Sequence, residues 1–253
     1  MSILIRILCF SVGVSALAGS AMADGRAQPG VSWTGCYVGA SIGKTWGTSK
    51  QTYGGERAGV PDAFLPVGFD ITGDYDVDGR VAGGEIGCDY QFNRVVMGLV
   101  VDGMDVDAHG LAGPTPGAVA AGSNPLRRFH TDQQWLATVR ARLGIVHDRS
   151  LWYVTAGGAW SGFEVNNEAV LVSPLANRTP TSVDRFGWIV GVGTEYALDS
   201  RWRFKSELLY ADFGTFHYSD SPAADGCIQC YSMNVEMSEW TFRVGLSYQF
   251  ASH

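Results

Sequence analysis

In "WLATVRARLGIV", Trp135, Ala137, Val139, Ala141, Leu143 and Ile145 fall on one parity, and Thr138, Arg140, Arg142 and Gly144 on the other. A period of two places successive side chains on opposite faces of a strand. The same alternation returns further on. Trp188, Val190, Val192, Tyr196 and Leu198 oppose Gly187, Gly191, Gly193 and Glu195; Phe204, Leu208 and Tyr210 oppose Lys205 and Glu207. Phe242, Val244, Leu246, Tyr248 and Phe250 oppose Arg243, Gly245, Ser247 and Gln249. Eight such segments are predicted, at about 34–47, 80–92, 94–105, 133–146, 151–163, 184–198, 201–213 and 237–250.

The connections alternate in length. Segments two and three meet at Asn93, four and five at "HDRS", and six and seven at "DS", whereas 48–79, 106–132, 164–183 and 214–236 are long. Short turns at one end and long loops at the other are the pattern of an outer-membrane barrel. Proline agrees, because a residue without an N–H cannot donate to a closed ladder. Pro29 precedes the first segment, and Pro61, Pro66, Pro114, Pro116, Pro125, Pro174, Pro180 and Pro222 all fall in the long connections.

Which face is inside must still be decided, since a soluble barrel would bury the apolar parity. Trp33, Trp46, Trp135, Trp152, Trp160, Trp188, Trp202 and Trp240 all lie near predicted strand ends, as two interfacial girdles require. The small and charged parity mixes signs: Glu85, Asp89, Asp102, Glu195 and Glu207 against Arg140, Arg142, Lys205 and Arg243. Such groups pair inside a narrow barrel, with glycines beside them making room. The longest aliphatic run after residue 23 is "VVMGLVV", Val95 to Val101, too short for a spanning helix. The expectation is therefore an all-β, eight-stranded antiparallel transmembrane up-and-down barrel with short periplasmic turns and four long extracellular loops.

The N-terminus fits export. Arg6, an apolar run from Ile7 to Ala18 and Ala21-Met22-Ala23 before Asp24 predict a signal peptide over 1–23, cleaved near Ala23. A short periplasmic lead-in over 24–32, the barrel over 33–250 and a tail over 251–253 follow. Removing Arg6 takes the charge from −7 to 17 − 25 = −8. With no basic stripe, nucleic acid is excluded as a partner.

"RVGLSYQF" at 243–250 fits an outer-membrane assembly signal through Arg243, Gly245, Tyr248 and Phe250. Together with "WTGCYVGASIG", "GGEIGCDYQF", "TVRARLG", "GWIVGVGTEY" and "KSELLYADFG", it resembles the alphaproteobacterial outer-membrane surface-antigen family of OmpA-like barrels, often called porin-like or immunogenic proteins. The likeness covers the strands and not the loops. It implies a non-enzymatic surface protein supporting the envelope, in contact with outer-membrane lipid and lipopolysaccharide. It also implies the barrel-assembly machinery during biogenesis, host or envelope partners at the loops, and no cofactor. Some relatives bind haem, for which His109, His130 and His217 are the loop candidates; Cys36 and Cys88 stand where the family commonly has aromatics.

Cys36 opens the first strand and Cys88 nears the end of the second, so both belong at the periplasmic rim, while Cys227 and Cys230 share the last long loop. Crossed pairing would bridge an apolar band of ~25 Å, so Cys36–Cys88 and Cys227–Cys230 are the expected disulfides. "CIQC" could instead be a redox pair or half a zinc site. His217 and Ser219 have a spacing similar to the His-x-Ser of lipid A deacylases, although no acid partner is identifiable.

"DYDVDGRVAGGE", residues 74–85, matches an EF-hand loop through Asp74, Asp76, Asp78, Gly79 and Glu85. Neither flank is helical, and Glu85 belongs to the inward parity of a strand. The remaining expectation is that Asp74, Asp76 and Asp78 point outward just above the bilayer, as weak candidates for divalent cations shared with lipopolysaccharide phosphates.

Overall fold

A computed structural model describes residues 31–56, 65–123, 125–169, 181–219 and 231–250. Eight strands run in chain order: β1 (Gly35–Glu56), β2 (Asp70–Phe92), β3 (Val95–Ala112), β4 (Arg127–His147), β5 (Ser150–Ala169), β6 (Thr181–Ala197), β7 (Trp202–Ser219) and β8 (Tyr231–Gln249). Each pairs antiparallel with its neighbours, and β1 pairs with β8, so the sheet closes into a barrel with no free edge at the membrane level. Asn93 and Asp148 take left-handed backbone in the tight periplasmic turns, a conformation these residue types tolerate. One short helix, α1 (Pro116–Ala120), lies in the β3–β4 connection with Thr115 as its N-cap, and buries Ala118 against the barrel's upper core.

The strands extend further than the alternation predicted. The long connections expected at 48–79, 106–132, 164–183 and 214–236 contain strand up to Glu56, from Asp70, up to Ala112, from Arg127, up to Ala169, from Thr181, up to Ser219 and from Tyr231. The reason is an inversion of polarity partway up the barrel. In the lower part Ile86, Leu99, Val139, Val154, Val192 and Leu246 face outward, and charges face inward. In the upper part Val77, Val106, Phe129, Phe163, Phe216 and Val235 face inward, while Asp76, Asp107 and His217 face outward. The lower half is solvated by lipid and the upper half by water, so a search for outward apolar bands stops at the boundary between them.

That boundary is an aromatic belt. Trp46 on β1 stands opposite Trp240 on β8; Trp240 packs on Tyr210 at 4.9 Å, Tyr210 on Trp188 at 5.4 Å, and Phe186 on Trp160 at 4.9 Å. Trp135 continues it on β4. Tyr90, Phe92, Trp152, Tyr196, Trp202 and Phe250 form the periplasmic girdle. Trp33 is a correction to the girdle set: it is fully buried, closing the periplasmic mouth with Val96, Leu151 and Tyr153 beneath the Arg203 guanidinium at 4.1 Å. It precedes β1, so strand parity does not govern it.

Above the belt one seam splits. The β6–β7 ladder ends at Trp188 and Asp212, although β6 pairs with β5 as far as Thr181 and β7 with β8 as far as Ser219. Arg185 spans the split, stacking on Phe216 at 4.9 Å and donating to the His217 carbonyl at 3.4 Å.

Candidate functional site

The membrane-level interior collects ten charged side chains, all nearly fully buried. The cations are Arg140, Arg142, Arg203, Lys205 and Arg243; the anions are Glu85, Asp89, Asp102, Glu195 and Glu207. They come from β2, β3, β4, β6, β7 and β8, each on the inward parity of its strand. Lower down, Arg142 is forked onto Asp89, with Nε donating at 2.7 Å, and reaches Glu195 at 2.5 Å. Tyr37 and Tyr153 sandwich the Arg142 guanidinium at 4.9 and 5.1 Å. Higher up, Arg140 donates to Asp102 at 2.6 Å, and Arg243 reaches Glu207 at 2.6 Å and Asp102 at 3.1 Å. Lys205 lies on Glu85 and 3.2 Å from Glu207, which also accepts from the Tyr153 hydroxyl at 2.8 Å.

Burying so many charges is tolerable only because each faces an opposite one, since an unpaired ion in this setting costs several kcal/mol. Two glycines make room for the tyrosines: a Cβ at Gly87 would strike the Tyr37 ring, and one at Gly193 the Tyr153 ring.

All nine interior charges named from the sequence lie in this network, and Arg203 and Glu239 join the interior set. Arg203 shares the parity of Lys205 and Glu207, a readable signal that its place beside the periplasmic turn obscured. Glu239 is a different kind of group. It accepts from Gln133 and from Thr45, both at 3.0 Å, and no cation among the described residues lies within ion-pair distance. It marks the transition to the polar file of Ser49, Gln51, Tyr75 and Thr131, which runs alongside the upper apolar core.

The remaining candidates lie apart from this interior. Cys36 and Cys88 stand opposite each other on β1 and β2, facing outward, and form a disulfide. Cys227 and Cys230 lie outside the described residues, as do the expected signal peptide and tail. Asp74, Asp76 and Asp78 do face outward, but within β2 and not in a loop. Successive outward positions are ~6.6 Å apart along a strand, and Asp78 pairs with Lys44 at 3.3 Å. Among the described residues no three His, Cys, Asp or Glu side chains converge on a metal-sized site.

His109 lies on the outer face of β3, not in a loop, with Nδ1 2.8 Å from Asp132 and Nε2 2.9 Å from Asp107. The Asp132 carboxylate holds the imidazole above its usual range; desolvation opposes it, and Asp107 adds to the rise. His130 is on neighbouring β4. His217 is on β7 with Nδ1 against Asn234, and the strand extends to Ser219. The C-terminal set spans both faces: Arg243 lies in the interior network, while Phe250 is outward and packs on Tyr248 at 5.8 Å.

A closed barrel with two aromatic girdles, outward apolar side chains between them and paired charges within defines a transmembrane β-barrel of the outer-membrane kind. Residues 11–250 match the model of the outer membrane protein beta-barrel domain, and the chain belongs to that family. It is 30% identical over 228 residues to the 31 kDa outer-membrane immunogenic protein of Brucella melitensis biotype 1, covering 87% of this chain and 84% of that one; the Brucella suis biovar 1 protein matches equally. Among solved structures it is similar to the outer membrane protease OmpT from Escherichia coli, with a TM-score of 0.53 and 12% identity, covering 87% of this chain and 98% of that one. It is also similar to the outer membrane protein OprG from Pseudomonas aeruginosa, with a TM-score of 0.50 and 14% identity, covering 87% and 97%. At those identities the likeness is one of fold.

Proposed function

We propose that the protein is a non-enzymatic, non-conducting surface barrel that reinforces the outer membrane and holds its extracellular connections on a rigid stalk. The observation that carries this reading is the balanced set of five cations and five anions packed across the bore. An eight-stranded barrel has an interior just wide enough for side chains to fill, and each charge here already has a partner. The upper half supports the stalk: its apolar core, with Phe163 against Phe213 at 5.1 Å and Phe216 at 5.8 Å, stiffens the strands beyond the bilayer. Lipopolysaccharide and outer-membrane lipid are the proposed partners of the lower face, and the barrel-assembly machinery the partner of the Arg243–Phe250 stretch during insertion. After export the signal peptide is removed.

Planar-bilayer recording tests the closed bore. The wild-type protein should give no large, stable single-channel conductance, and a porin-sized stable conductance would overturn the proposal. A deletion strain should gain detergent sensitivity that re-expression of the barrel restores.

A further inference from the structure

The outer girdle is incomplete, and its gap is charged. Trp46 on β1 stands opposite Asp78 on β2, and Trp135 on β4 stands opposite Asp105 on β3. Between the two tryptophans, β2 and β3 therefore present Asp78, Arg80, Asp105 and Asp107 outward where other strands carry an aromatic ring. Arg80 stands opposite Lys44 on one side, a like-charge pair, and opposite Asp107 on the other. Asp107 is turned to His109, however, and Arg80 has no ion pair among the described residues.

Directly below, on the lipid-facing side, Gly84 of β2 stands opposite Gly103 of β3, flanked by Ala40 and Ala137. Most strand glycines are demanded by the barrel's own packing; a Cβ at Gly43, Gly79 or Gly157 would strike neighbouring backbone. Gly84 and Gly103 are not. A Cβ at Gly103 would meet nothing within 4 Å, and one at Gly84 only the Gly39 carbonyl at 3.5 Å. The monomer has no use for their smallness, whereas a surface approaching from outside would.

We propose that this face, centred between β2 and β3, is the interface of a two-fold dimer within the membrane plane. The second copy fits because the charges are self-complementary. On the β1–β2 side Lys44 is taken up by Asp78 at 3.3 Å, which leaves Arg80 as the cation there, and the carboxylates of Asp105 and Asp107 lie on the β3 side. An isologous contact, with its axis along the membrane normal, sets each β2 against the β3 of the other copy at the same depth. Arg80 then meets Asp105 and Asp107 of the second copy, and the glycine row gives the closest approach below them, as small residues do at contacts within membranes. The inference rests on the bilayer placement of the barrel and not on its closed bore, so a conducting barrel would leave it intact.

Cysteine cross-linking in native membranes tests it. In a C227S/C230S background, Gly84→Cys and Gly103→Cys should each cross-link to dimer with a short bis-maleimide, and Val190→Cys on the far side should not. Arg80→Asp should lower the cross-linked fraction about tenfold, the equivalent of ~1.4 kcal/mol, and Arg80→Asp/Asp105→Arg should restore it. Heat-modifiable gel mobility confirms that each variant is folded. Equal cross-linking at Val190→Cys, none at the glycine positions, or no effect of Arg80→Asp would overturn the dimer. So would monomer at Gly84→Cys together with an Arg80-dependent co-purifying phosphorylated lipid, which would assign the face to lipid.

Discussion

Replacing Arg142 with methionine removes one cation from the centre of the lower network while keeping most of its volume. The arginine makes three charge-assisted hydrogen bonds, two to Asp89 and one to Glu195, and is stacked between two tyrosines. Losing one member of a buried ion pair costs about 3–5 kcal/mol, because the carboxylates left behind stay desolvated. Arg203 moderates the loss, lying 4.0 Å from Asp89 and 3.9 Å from Glu195, so the lower end, about 3 kcal/mol, is expected here. Arg142→Met/Asp89→Asn removes one charge of each sign and should recover more than half of that. Urea unfolding of vesicle-reconstituted protein, followed by tryptophan fluorescence and gel mobility, measures both. A single variant within about 1 kcal/mol of wild type, or a double variant as destabilised as the sum of the singles, would refute the view that charge balance holds this interior.

Other outcomes follow from the same geometry. Gly193→Leu should destabilise by about 1–3 kcal/mol through collision with Tyr153, and adding Tyr153→Ala should relieve part of the loss in the same urea assay. Reducing Cys36–Cys88, which closes 52 residues of sequence separation, should lower the unfolding free energy by at most about 4 kcal/mol; an unchanged midpoint with reductant would contradict this. His109 has a raised folded pKa, so its link to Asp132 and Asp107 stabilises fully below the unfolded value of ~6.5 and is lost as pH rises through the folded one. Its side chain is mostly exposed, so the effect should stay under about 1 kcal/mol, and His109→Gln should flatten the wild-type dependence of stability across that window. Amides of Thr181–Gly187 should exchange faster than those of the same strand below Trp188, and Arg185→Ala should widen the difference.

Much of the barrel was legible because lipid imposes a strict outward code. Val190 and Leu246 could only face acyl chains, and Arg140 and Glu207, on the opposite parity, could only face inward. Above the belt that constraint disappears. Tyr75 and Val77 turn inward while Asp76 and Asp78 turn to water, so "DYDVDG" keeps its period but reverses its meaning, and a reading tuned to lipid takes it for loop. Trp33 escaped because it precedes the first strand, and Glu239 because a lone acid beside Trp240 reads equally well as a headgroup contact. The girdle gap at Asp78 and Asp105 depends on register, which no single strand discloses.

The inversion itself can be measured along one strand. Nitroxide labels placed singly on β8 at Asn234, Glu236, Ser238, Phe242, Val244 and Leu246, in vesicles, report collision with oxygen against a water-soluble nickel complex. The first three should be water-accessible and the last three oxygen-accessible, with the change at Trp240. A water-accessible label at Val244 or Leu246, or a lipid-accessible one at Asn234 or Glu236, would contradict the account.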